Sequence, residues 1–197
     1  MRHTFPALIA LLASPAFAEG TRELDAHEHG VGELNIAIDG TTVAMELHAP
    51  GADIVGFEYE AESAKDRAAI DAAVAILAKP LELFVLPAAA ECSVTKASAG
   101  LESEDDHDDH DHDEHAEGEE HHDEHDHDDH AEASHTEFHA EYLLTCADTS
   151  ALTSIDFAYF ETFANALELE VQIVTASGAQ AFEVERDDPA LDLRGIF

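Results

Sequence analysis

From Glu104 to His130 the chain has no side chain with which to build a core. These 27 residues hold nine histidines and sixteen aspartates or glutamates, and only Ala116 and Gly118 interrupt them. Such a segment buries too little apolar surface to offset the entropy of ordering itself. It is expected to be a long disordered loop, and the fold must be assembled from the stretches on either side. The chain carries 45 acidic against 8 basic residues. That field attracts cations and repels nucleic acid and anionic lipid, so neither is expected as a partner.

The N-terminus reads as an export signal. Arg2 is followed by the apolar run Ala7 to Ala13, then Pro15, then the small-residue pattern Ala16-Phe17-Ala18. Cleavage after Ala18 removes this segment from the fold, and the run is too short to span a bilayer. An exported protein with an even number of cysteines usually pairs them. Cys92 and Cys146 flank the acidic tract with 53 residues between them. A thiolate metal site is the competing use, disfavoured by oxidation outside the cytoplasm and by the lack of a C-x-x-C spacing.

Apolar alternation marks the strands. Leu34, Ile36 and Ile38 form one set and Val43, Met45 and Leu47 the next, joined by Asp39-Gly40, a strong hairpin signal. A type I′ turn there would set Ile38 opposite Thr41, Glu33 opposite Glu46 and Val31 opposite His48. Ser63-x-x-Asp66 is a helix start, with Ile70, Ala73, Val74 and Leu77 at helical spacing and Pro80 ending the helix near Ala78. LELFVLP leads into a strand from Cys92 to about Leu101.

Past the tract, Phe138, Ala140, Tyr142, Leu144 and Cys146 share one face of a strand, and His135, Glu137, His139 and Glu141 the other. A Cys92–Cys146 bond across antiparallel strands would place Val94 against Leu144 and Gly100 against Phe138. Ile155 and Phe157 predict a strand, Phe160 to Leu167 a short helix, and Val171 to Thr175 and Phe182 to Val184 two more strands. The expected fold is α+β: two pseudo-repeated strand-strand-helix-strand halves with antiparallel sheet, interrupted by the disordered loop. The boundaries are a signal peptide at 1–18, a first half at 19–101, the loop at 102–134 and a second half at 135–197.

Imidazole interleaved with carboxylate is a ligand set for Zn(II), Ni(II) or Cu(II). In the tract, His107, His110, His112, His115, His121, His122, His125, His127 and His130 are candidate ligands, enough with their acids for roughly two to four zinc ions. A purely solvated linker would need only the acids, and a pH sensor is the rival use of the histidines. Two smaller groups lie outside the tract. His27-x-His29 offers two imidazoles on one face of an extended chain. His135-x-Glu137-x-His139 offers three ligands on the wet face of a strand, with Glu33, Glu46 or His48 as further donors. No H-E-x-x-H, G-x-S-x-G or Gly-rich phosphate loop is present, so no enzyme activity is expected.

Several phrases carry a family resemblance: HEHGVGELNIAIDG, GADIVGFEYEA, LFVLPAAAEC, the His/Asp tract, HTEFHAEYLLTCAD and LTSIDFAYFETF. They resemble, in order, the ZrgA family of zinc-regulated periplasmic proteins. The resemblance implies an exported zinc-binding protein with a two-half α/β fold of pseudo-two-fold symmetry. It further implies delivery of zinc to the periplasmic zinc-binding component of an ABC importer. On that analogy His27, His29, His135 and His139 are candidate ligands of a firmer site, whereas His48 departs from the family pattern. The expected function is capture of several Zn(II) ions in the periplasm and assistance in their import. The alternatives are a storage or detoxification buffer for nickel or copper, and an interaction module that docks a basic partner on the acidic loop.

Overall fold

The computed structural model describes residues 28–103 and 135–196. The expected signal peptide, His27 and the nine tract histidines lie outside the described residues. The rest is a mixed α+β fold dominated by sheet. A six-stranded sheet has the order β4-β5-β2-β1-β7-β8, and a three-stranded sheet has the order β3-β6-β9. The large sheet takes β1 (Val31–Asp39), β2 (Thr42–Pro50) and β4 (Cys92–Ser103) from before the tract. From after it come β5 (Thr136–Cys146), β7 (Glu168–Thr175) and β8 (Gly178–Glu185). The small sheet joins β3 (Phe84–Val85), β6 (Ser154–Phe157) and β9 (Ala190–Asp192). No helix among the described residues is long and apolar enough to cross a membrane.

One face of the large sheet is the core. Leu34, Ile36, Val43, Met45, Leu47, Phe138, Ala140, Tyr142, Leu144, Leu169, Val171 and Ile173 are all buried, as the alternation predicts. The small sheet covers them with an aromatic cluster, in which Phe84 stacks on Tyr159 and meets Phe157 edge-on. The opposite face of the large sheet is open and acidic. Along it Glu46 lies opposite Glu141, Glu102 opposite Glu137, and Glu170 opposite Glu183. Like charges so placed repel unless a cation lies among them, and Lys96 reaches Glu141 at 3.1 Å.

The principal helix, α2 (Ala64–Leu77), starts where Ser63 Oγ accepts the Asp66 N–H at 3.0 Å and ends at Ala78. Three one-turn α-helices accompany it among the described residues: α1 (Gly51–Ile54), α3 (Pro80–Leu83) and α4 (Tyr159–Thr162). The helix expected to run on to Leu167 stops at Thr162. The Arg186 guanidinium donates to the carbonyls of Phe160, Phe163 and Ala166 and so holds the following chain out of helical form.

Three expectations about pairing are corrected. The first hairpin turns on Gly40-Thr41, so Asp39 pairs with Thr42, Glu33 with His48 and Asn35 with Glu46. Type I′ needs positive φ at both central residues, yet only Gly40, at φ 57°, has it, the pattern of a turn that opens on glycine. Because the register moves by two, every side chain keeps its expected face. Second, the sheet is not wholly antiparallel, since β1 and β7 run parallel. The first hairpin occupies one edge of β1. At the other, the N–H groups of Leu167 and Glu168 donate to Gly30 O at 2.8 and 2.9 Å and start β7 in the same direction.

Third, Cys92 and Cys146 do form a disulfide and Val94 does meet Leu144, but Gly100 meets His139 and Leu101 meets Phe138. A β-bulge at Thr95 inserts one residue between those points. The bond closes a 54-residue separation and Cys146 is fully buried. Replacing both cysteines by serine is expected to lower stability by about 4 kcal/mol in the chain-entropy picture. A urea titration in which the midpoint does not move would contradict it.

Candidate metal centres

Among the described residues, two groups of three donors form where sequence-distant segments meet. In the first, Glu58 Oε2 lies 3.1 Å from His29 Nε2 and 2.9 Å from His135 Nδ1. His29 precedes β1, His135 precedes β5, and Glu58 sits in the loop after α1. Two glycines make the meeting possible. Gly30 adopts φ 94° and packs on Leu167, where a Cβ would come within 2.9 Å of that side chain. Gly51 lies so close to β5 that a Cβ would stand 2.6 Å from Thr136 Oγ1 and 2.7 Å from Phe57 O. That approach carries Phe57 and Glu58 against the strand next to His135.

Asp53, 2 % exposed, accepts the Gly30 N–H at 2.8 Å through Oδ1 and so fixes the peptide that follows His29. Burial pushes the Asp53 carboxyl up in pKa, and the Gly30 N–H only partly offsets it. Burial acts the same way on Glu58, but there the hydrogen bond to His135 and the charge of His29 prevail and lower the pKa. The other Glu58 oxygen, Oε1, is buried with no hydrogen-bond partner among the described residues. An orphaned carboxylate oxygen costs free energy that a bound cation would recover.

The second group stands on the open face of the sheet. His48 on β2 and His139 on β5 are direct cross-strand neighbours, with ring centroids 4.2 Å apart. Glu137, two residues before His139 on the same face, lies between them. Its Oε2 is 3.4 Å from His48 Nδ1 and in close contact with His139 Nε2. Glu46 Oε1 lies 3.4 Å from His48 Nε2, and Glu102 Oε2 lies 3.3 Å from His139 Nδ1. The hydrogen bond to Glu137 raises the pKa of His48 from 6.5 to about 8, against the opposing effect of burial and with help from Glu46.

Both groups suit a borderline dication chemically. The three donor atoms of each lie within 4.8 Å of one another. Tetrahedral zinc with bonds of about 2.1 Å has ligand–ligand edges of about 3.4 Å. The gaps of 2.9 and 3.1 Å around Glu58 and of 3.4 Å from Glu137 to His48 are of that size, whereas Glu137 and His139 stand closer than such an edge. Each set is two imidazoles and one carboxylate, a mixture suited to zinc, nickel or copper.

The model of the ZrgA family zinc uptake protein matches residues 26–193. The chain belongs to the ZrgA family. No individual curated protein matches it. In this ZrgA member, a family tied to zinc uptake, the residues singled out from sequence are shared between two places. His29 and His135 meet at one group, Glu137 and His139 at the other. They do not form a single cluster, because the four residue steps of extended chain from His135 to His139 span roughly 13 Å. Sequence reasoning passed over Glu58 and offered His48 only as one of three further donors, at odds with the family pattern. The alternation of β2 already puts His48 on the face of Glu46, but its pairing with β5 comes only from the fold. For Glu58 the signal was weak, one acid among Glu58, Glu60 and Glu62 in a loop without periodicity.

Proposed function

We propose that this protein captures Zn(II) in the periplasm and passes it to the zinc-binding component of an ABC importer, as a carrier that catalyses no reaction. The observation that carries this is the pair of two-histidine, one-glutamate groups at the start of β5 and just before it, in a chain of a zinc uptake family. The acidic open face supports it by concentrating dications where the donors stand. So does the exposure of the donors. His29 is 65 % and His135 49 % exposed, so a recipient can replace their bonds to the ion one at a time. On this reading the tract histidines add capacity with exchangeable ligands, and the folded groups hold the last ions to leave.

Calorimetric zinc titration of the exported chain tests the reading directly. Deleting residues 104–130 is expected to lower the stoichiometry while leaving up to two ions bound by the remainder, with an unchanged far-ultraviolet spectrum. His135→Ala in the deleted protein is expected to remove one of them. Unchanged stoichiometry after the deletion would refute the role given to the tract. A shortened protein that binds no zinc would refute the folded centres. Competition with nickel and copper, together with expression under zinc starvation or metal excess, separates import from a buffer for those metals. Binding of the importer component that is lost with chelator supports hand-over, and chelator-insensitive binding supports docking on charge alone.

A further inference from the structure

Each imidazole of the sheet-face group lies between two carboxylates, and it uses opposite nitrogens to do so. His48 turns Nδ1 to Glu137 and Nε2 to Glu46, at 3.4 Å each. His139 turns Nε2 to Glu137 and Nδ1 to Glu102, the latter at 3.3 Å. We propose that Glu46 and Glu102 are outer positioning residues of this centre, orienting His48 to bind zinc through Nδ1 and His139 through Nε2. The proposal rests on the zinc reading above and extends it.

An imidazole that gives one nitrogen to a metal keeps its proton on the other, and a carboxylate accepting that proton fixes both the tautomer and the ring's orientation. The sheet supplies both acceptors from rigid positions. Glu46 is two residues before His48 on β2, on the same face. Glu102 stands on β4 directly opposite Glu137 and diagonal to His139. Three adjacent strands thus contribute one layer around a point between the rings, with Glu137 as the shared inner carboxylate. Glu46 and Glu102 are half exposed, at 54 % and 47 %, so they can be exchanged without opening the core.

The test uses the full exported protein, isotopically labelled, with chelator-buffered zinc and long-range proton–nitrogen correlation of the histidine rings. Zinc is expected to shift Nδ1 of His48 and Nε2 of His139 and to leave the proton on the opposite nitrogen of each. Affinity read at those resonances is expected to fall about 10- to 100-fold in Glu46→Ala and in Glu102→Ala. Glu46→Gln and Glu102→Gln, which keep an uncharged acceptor, are expected to fall between wild type and alanine. In Glu46→Ala, His48 is further expected to populate the Nε2-bound form. Wild-type rings bound through the other nitrogens, or alanine variants with unchanged affinity and nitrogen choice, would overturn the proposal alone. No zinc-dependent change on either ring would overturn this centre as a zinc site and the proposal with it.

Discussion

Glu137→Ala is expected to abolish zinc binding at the sheet-face centre, with affinity lost by at least about two orders of magnitude. Among the described residues, Glu137 is the carboxylate that reaches both His48 and His139. Loss of an outer partner of a metal-bound histidine typically costs 10- to 100-fold, and loss of an inner ligand costs more. Without it, two rings with centroids 4.2 Å apart face an ion with no neutralising carboxylate between them. Fold stability should change little, because Glu137 is on the wet face of β5 and also lies opposite Glu102, a like charge. Competition titration against a zinc-sensitive dye in the tract-deleted protein reads the effect, with a thermal melt as control. Retention of both zinc equivalents at wild-type affinity would remove Glu137 from the ligand set.

Acidification is expected to empty the same centre over a narrow range. In the metal-free protein the pKa of His48 is raised from 6.5 to about 8, with its hydrogen bond to Glu137 as the largest cause. The folded state therefore holds this proton more tightly than the unfolded chain. The stability it contributes is full below about pH 6.5 and is lost as pH rises through 8. Zinc must displace that proton, so apparent affinity falls as pH drops below 8. From His48 alone the loss between pH 8 and pH 6 is roughly fifty-fold. His48→Gln should bind more weakly at pH 8 but with a shallower pH dependence. A wild-type profile flat from pH 6 to pH 8 would show that His48 is not a ligand.

The parts of this molecule that were legible in its sequence are those set by local periodicity. The alternation from Phe138 to Cys146 gave the buried and wet faces of β5, and Ser63 with Asp66 and Pro80 gave both ends of α2. Turn details were less legible, since Asp39-Gly40 and Gly40-Thr41 both close a hairpin with the same faces inward and only backbone geometry chooses between them. The candidate centres depend on contacts between segments far apart in the chain. His139 was conspicuous on its strand, but its neighbour His48 lies 91 positions earlier, across the β2–β5 ladder. Glu58 is brought to His135 by the close passage of Gly51 over Thr136, which no pattern of hydrophobicity encodes. Parallel pairing of β1 with β7 was invisible for the same reason, as it depends on where the chain re-enters the sheet.

The extra residue at Thr95 has an effect seven positions along its strand. Before it, the even-numbered residues Cys92 and Val94 pair with the inward-facing Cys146 and Leu144; after it, Ala97, Ala99 and Leu101 take over the inward places. Counting on in the unbulged register would turn Leu101 out to water and drive Glu102 toward the hydrocarbon side, opposite Thr136. A single irregularity near the crosslinked end thus acts as a phase shift, delivering a carboxylate to the far end of the ladder beside His139. The cystine anchors the count, and the insertion decides which parity arrives at the imidazoles.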